Sequence, residues 1–294
     1  MTTAAATAVP VSRERRNLTA YWLLLPGAIW LGLFFVVPFY SLIAASLFDP
    51  KGSVLTGYDV TWHWQNYVDA IRDYAGPLWR SLWYALVATV ICLVLGYVLA
   101  YAIAFKAGRW RNLLLVAVIA PFFTSFLIRT LSWKLILADD GWIVNGLQAV
   151  HLLGDDGRLL ATPVAVIAGL TYNFLPFMVL PLYASLEKID IRLHEAATDL
   201  YASPMTTFFK VTVPLSMPGI VAGTMLTFIP AAGDYINAEL LGSPNQRMVG
   251  NVIQNLFTTI GDYAAAGALS VILMAIIVAM VLLYVRKSGA EDLV

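Results

Sequence analysis

The chain has 294 residues, 60% apolar and only 12% charged, with a mean hydropathy of +0.76. A water-soluble domain carries about 25% charged residues to solvate its surface, so this composition excludes a globule in water and leaves a protein that works in or across a bilayer. The formal net charge is zero, which gives no global basic field for nucleic acid, and a lone Cys92 excludes an internal disulfide and a cysteine-built metal site.

A crossing helix needs about 20 apolar residues. Stretches free of Asp, Glu, Lys and Arg run over 17–48, 81–105, 112–128, 159–186, 211–233 and 263–285. They predict an all-α integral membrane protein with six transmembrane helices. The first run follows a basic flank but is too long for the apolar part of a cleaved signal peptide. It is read as a span, tolerant of Pro26 and Pro38. The third run is short, and its helix is expected to continue past Arg129 to about Leu137.

Lys and Arg set the orientation. Arg13, Arg15 and Arg16 precede the first span, and Lys106, Arg109 and Arg111 follow the second. Lys188, Arg192 and Lys210 follow the fourth, and Arg286 and Lys287 follow the sixth. The opposite loops are acidic, with Asp49, Asp59, Asp69, Asp73, Asp139, Asp140, Asp155, Asp156 and Asp262. Both termini are therefore expected in the cytoplasm, with tails at 1–16 and 287–294 flanking a six-helix transmembrane domain at 17–286. The first outer loop holds Trp62, Trp64, Tyr67, Tyr74 and Trp79. These suit an interfacial belt; the alternative is a docking surface for an extracytoplasmic partner.

The inner segment 187–214 is long for a helix connection. Ile189, Leu193, Ala196, Ala197 and Leu200 recur at helical spacing. Asp190 can cap that helix. Ser203-Pro204 reads as an N-cap followed by proline at the first helical position. A cytoplasmic helix-turn-helix is predicted, with a second short helix running to about Val211. Glu195 and Asp199 stack like charges one turn apart, an arrangement that suits a cationic partner surface and equally an ordinary solvated helix face.

Charge inside a bilayer is costly, so intramembrane ionisable residues invite a functional reading. Arg129 lies about 26 Å up a straight helix from Asn112, and Asp234 about 30 Å up from Pro214. Both would sit near the outer boundary, as snorkelling residues or as a pair joining two helices. In the functional reading, Asp234, Tyr235 and Glu239 meet a cationic solute through carboxylate and aromatic faces. Five residues of helix turn Asp234 and Glu239 apart unless Pro230 or Gly233 distorts it. Arg129, Trp133, Tyr172, Asn173 and Phe126 are further pathway candidates, with core packing the alternative.

Catalytic chemistry is not expected. No G-x-x-x-x-G-K-[ST] loop or G-x-S-x-G elbow occurs. His194-Glu195 opens like a zinc H-E-x-x-H motif, but Thr198 stands at the second histidine. His63, His151 and His194 read as surface residues rather than metal ligands, and Cys92 as a packed small hydrophobe. A self-contained secondary carrier would call for a midplane charge relay or inverted repeats, and neither is visible.

The stretch EAATDLYASPMTTFFKVTVPLSMPGI at 195–220 resembles the EAA loop of ABC importer permeases. Glu195, Ala196 and Ala197 match its opening, and Val211-Thr212-Val213-Pro214 its end; the usual glycine falls on Tyr201. FLIRTLSWKLIL, YNFLPFMVLPLYASLEKID and FIPAAGDYINAELLGSPNQRMVGNVI extend the likeness to permeases of spermidine/putrescine importers.

The resemblance implies a type I ABC importer permease fold in the bacterial cytoplasmic membrane. It implies a second permease subunit, two copies of an ATPase that carry the ATP and Mg, and an extracytoplasmic binding protein. Glu195, Ala196, Ala197, Asp199, Tyr201 and Ala202 would form the ATPase-coupling surface. The cargo would be a small cation, with another small solute as the alternative.

Overall fold

The computed structural model describes residues 19–52, 57–154 and 157–287. The tail residues 1–16 and 288–294, together with Asp155 and Asp156, lie outside the described residues. The described chain is helical, with an isolated antiparallel bridge between Phe48 and Val60.

Among the described residues, four helices are long and apolar enough to cross a membrane: α1 (Trp22–Ser46), α2 (Gln65–Lys106), and two later ones, Pro163–Leu186 and Tyr263–Arg286. Between them, α3 (Gly108–Phe123) and α4 (Phe126–Ile136) reach that length only as a pair bent by 94°. After α5 (Trp142–Ala149) and α6 (Pro163–Leu186) comes the short α7 (Arg192–Asp199). A second bent pair follows, α8 (Pro204–Leu215) and α9 (Met217–Ala232), at 66°. The chain ends with α10 (Ile236–Leu241), α11 (Val249–Asn255) and α12 (Tyr263–Arg286).

Three expectations need correction. The third apolar stretch is not one helix: a 3-10 turn at Ala120–Phe123 gives way to extended backbone at Thr124 and Ser125. Pro121 opens that turn and lacks an N–H for the helix ladder. The straight-helix height of Arg129 therefore fails. Asp234 and Glu239 are not on the fifth span, because α9 ends at Ala232; Asp234 lies in the following turn and Glu239 on α10. The second span begins early, at Gln65, with a kink at Tyr74 ahead of Pro77. Tyr67, Tyr74 and Trp79 are thus helical rather than in a loop.

The centre is α6, clasped by α2 and α9. On α2, Ala85, Ala88, Cys92, Gly96 and Ala100 form a buried stripe at helical spacing, and small residues let helix backbones approach closely in lipid. Cys92 is inert packing, its Sγ 3.3 Å from the Thr171 carbonyl. On α9, Gly219 and Gly223 stand one turn apart against α6. A Cβ on Gly219 would meet the Pro181 carbonyl oxygen at 2.6 Å, and one on Gly223 the Met178 sulfur at 2.8 Å. Gly219→Val is therefore expected to cost about 1–3 kcal/mol by overpacking. A lower thermal midpoint in detergent would register it; an unchanged midpoint would refute the close approach.

By contrast, α1 is exposed along most of its length and packs mainly on α12. On the side read as cytoplasmic, Arg111 at the start of α3 pairs with Glu187 and also bonds Tyr183 at the end of α6. The Tyr183 hydroxyl and the Arg111 guanidinium hold the Glu187 carboxyl below its ordinary range. A lowered folded-state pKa means this tie is intact at neutral pH and is lost only as pH falls through that lowered value.

Candidate functional site

Two places carry the candidate residues: a polar seam beyond α9, and the helix-turn-helix of α7 and α8. The seam exists because Gly233 ends α9 and leaves Asp234 to start the next element. Asp234 Oδ1 accepts from the Asn237 backbone N–H at 2.8 Å and from Asn237 Nδ2 at 3.2 Å, in the manner of a helix cap. Asn237 Oδ1 in turn accepts from Asn173 Nδ2 at 3.0 Å, and Asn173 also donates to Thr130 Oγ1 at 3.1 Å. Asp234, Asn237, Asn173 and Thr130 are all buried. One hydrogen-bonded chain thus ties α10 to α6 and α4.

A second knot adjoins it. Asn251 Nδ2 donates to the Tyr235 carbonyl at 2.7 Å and to Glu239 Oε2 at 3.1 Å. The Tyr235 and Glu239 side chains are otherwise exposed. The cation-meeting residues read from sequence are therefore neighbours, gathered by asparagines that the sequence reading passed over. Asp234-x-x-Asn237 directly after a glycine was the available signal, since acceptor and donor at that spacing mark a helix start.

Arg129 does not pair with Asp234. Its guanidinium lies over Phe122 at 5.3 Å and Phe126 at 5.6 Å, and its Nε and Nη1 are buried without an acceptor. The ion pairs among the described residues are Arg111–Glu187 and Arg158–Asp139. Trp133 and Tyr172 meet edge to face at 5.5 Å and border an apolar groove of about 560 Å³ with Ile91 and Leu175. That groove offers a cation nothing but their rings, so these two are set apart from the seam.

The helix-turn-helix follows its sequence signals closely. Asp190 Oδ1 accepts from the Arg192 N–H, and Ser203 Oγ from the Thr206 N–H, with Pro204 opening α8. Ala197 is buried and Ala202 half-buried, while Glu195, Ala196 and Asp199 are exposed. The turn is left-handed at Tyr201, with φ at 59°. Ala202 N–H bonds the Ala197 carbonyl and Tyr201 N–H the Thr198 carbonyl, the two bonds of a Schellman C-cap. Tyrosine in that conformation costs about 1–2 kcal/mol relative to the right-handed region.

His194 is not a free surface histidine. Its Nε2 meets Thr212 Oγ1 at 3.0 Å, and its ring packs edge-on against Phe105 at 5.3 Å. This joins α7 to the segment that continues into α9. At the bend between α8 and α9, Ser216 Oγ bonds the Tyr97 hydroxyl at 2.7 Å, which anchors the hinge point to α2.

The profile of the family described as binding-protein-dependent transport system inner membrane component matches residues 92–288. The chain belongs to this family. It is 38% identical, over 88% of its length and 90% of the relative's, to the spermidine/putrescine transport system permease protein PotB of Haemophilus influenzae. The same-named protein of Escherichia coli is 42% identical over 60% of this chain and 65% of its own length. Among solved structures, a bacterial ABC transporter involved in the import of the acidic polysaccharide alginate superposes with a TM-score of 0.74, covering 94% of this chain and 96% of that one at 19% identity.

Family membership makes this protein a multi-pass permease subunit of an ABC importer, a membrane transport component. The fold is shared with an importer of an anionic polysaccharide. Cargo choice therefore lies in side chains, not in the fold.

Proposed function

We propose that this permease forms half of a polyamine pathway and is driven by a separate ATPase. The observation that carries the cargo is the 38% identity, across nearly the whole chain, to a permease of a spermidine/putrescine system. The chemistry of the seam supports it. Asp234, Glu239 and the Tyr235 ring present carboxylates and an aromatic face together, which suits ammonium groups. Asn173 braces that seam, whereas Arg129, Trp133 and Tyr172 lie apart from it and are proposed as further positions along the same pathway.

With each bent pair taken as one span the chain makes six crossings, and the Lys and Arg bias of the loops supports both termini in the cytoplasm. The second permease completes the pathway, and an extracytoplasmic binding protein hands over the cargo. One of two ATPase copies, carrying ATP and Mg, docks on α7 and the turn after it through the exposed Glu195, Ala196, Asp199 and Tyr201 and the half-buried Ala202, while Ala197, buried within the chain, supports that surface from beneath. The His194–Thr212 contact and the Ser216 bend would then pass ATPase closure to α9 as a rigid-body movement. Cargo released toward Asp234 would meet a seam whose shape follows α9 and α10.

The test is ATP hydrolysis by the complete assembly in proteoliposomes. Spermidine or putrescine delivered by the binding protein should raise the rate, whereas a neutral sugar or an alginate oligosaccharide should not. Stimulation by an anionic or neutral solute alone would overturn the cargo assignment.

A further inference from the structure

We infer that the corner between α3 and α4 seats against the second permease, and that an acidic side chain of that subunit meets Arg129 there. The inference rests on the two-permease pathway proposed above and goes beyond it by locating a contact and naming its chemistry.

Arg129 is only 8% exposed. Its guanidinium lies over the rings of Phe122 and Phe126, at 5.3 and 5.6 Å. A guanidinium has five N–H donors. Those on Nε and Nη1 are enclosed without an acceptor, which leaves the pair on Nη2 to meet a group from outside the chain. Ring faces attract a cation but do not neutralise it, and a lone charge at membrane depth is costly. The acids nearby in the fold are engaged elsewhere or exposed. On α10, which packs against α4, Asp234 accepts from Asn237 and Glu239 from Asn251. Beyond α4, Asp139 pairs with Arg158, and Asp140 is exposed. α3 and α4 themselves carry Arg109, Arg111, Arg129 and Lys134 and no acid.

The backbone gives a second, independent reason. Ser125 stands at the N-cap of α4, yet its side chain caps no N–H, so the positive end of this helix is open to an anion. Thr124 and Ser125 are extended and exposed, at ψ 142° and 137°. Even untilted, α3 rises about 24–28 Å over its α and 3-10 turns, inside a hydrocarbon layer about 30 Å thick. Irregular backbone at that depth occurs only where protein covers it or a water-filled cavity faces it, and a headgroup phosphate lies beyond that layer. Phe123, 88% exposed, with the exposed Leu127 and Ile128, offers apolar contact around the corner. A carboxylate on the second permease neutralises Arg129 and faces the start of α4 together. A paired guanidinium also repels a cationic cargo far less than a bare one.

The experiment treats Arg129→Lys, in the complete importer in native membranes, with a membrane-permeant carbodiimide, which joins an amine to a carboxylate in contact with it. A cross-link to the second permease that the parent lacks is expected, and mass spectrometry of the joined peptides names the acid. Arg129→Gln should lower the second permease recovered with this chain by about tenfold or more. Replacing the named acid by its amide in that background should restore recovery to within about twofold of the parent, because it removes the carboxylate left buried without a partner. A cross-link that reaches only the binding protein or this chain itself, or none at all, would overturn the inference. So would parental recovery in Arg129→Gln, or a loss that the amide does not rescue. Phospholipid held by the parent complex and lost from Arg129→Gln in native mass spectrometry would assign the site to a headgroup and overturn it too. If the parent itself recovers no second permease, the two-permease reading fails; if parent and Arg129→Gln recover it alike, only the Arg129 contact fails.

Discussion

Glu195→Lys is expected to abolish cargo-stimulated ATP hydrolysis and to reduce uptake about a hundredfold, with the protein still inserted in the membrane. Glu195 is exposed on α7 and no hydrogen bond or ion pair joins its carboxylate to the described residues. Its removal therefore leaves the fold intact. In an interface, reversing a desolvated charge both deletes an attraction and creates a repulsion, an effect of about 2–5 kcal/mol. Uptake and ATPase assays on the reconstituted assembly would read the change. Parental coupling in the variant would remove Glu195 from the docking surface.

Asp234→Asn is expected to lower uptake of a dicationic substrate at limiting concentration by about tenfold, equivalent to about 1.4 kcal/mol. The substitution isolates charge from structure. An asparagine oxygen can still accept from the Asn237 N–H, now held at 2.8 Å, so α10 keeps its cap and the seam its hydrogen-bonded chain. Asp234→Leu is different: it deletes the acceptor and should cost about 1 kcal/mol of stability through the lost cap. Equal uptake kinetics in Asp234→Asn and the parent would reduce Asp234 to a capping residue. A matching loss in uptake of a neutral solute would show a steric effect instead of an electrostatic one.

Much of the architecture is legible in composition, because lipid permits little else than helices. The caps at Asp190 and Ser203 were legible because a side-chain acceptor beside an orphan N–H is a local matter, settled within three residues. What sequence reading lost were directions. An uncharged stretch states that a segment suits hydrocarbon, but not that it runs straight. Pro121, Thr124 and Ser125 turn such a stretch through 94° without adding a charge. The same blindness placed Asp234 and Glu239 on one helix, where their separation around the axis seemed to matter. Gly233 divides them between a turn and α10, and Asn251 then reaches Glu239 from α11.

The polar seam was only half visible for a related reason. Ionisable residues announce themselves in an apolar segment, whereas Thr130, Asn237 and Asn251 do not. Their partners come from elements distant in sequence, as with Asn173 and Thr130. Tyr201 illustrates the opposite case. The residue type is readable at once, but only the backbone reveals that a left-handed turn is kept despite it.

The claim on which these expectations depend is that residues 190–210 seat the motor and relay its stroke to α9. A photo-reactive amino acid at position 195, activated in the assembled importer within native membranes, examines it most directly. The account requires a covalent adduct with the importer's own ATPase, its yield changing between nucleotide-free and ATP-bound states. A fully assembled, transporting complex that yields no ATPase adduct from position 195 or its exposed neighbours Ala196 and Asp199 would contradict it.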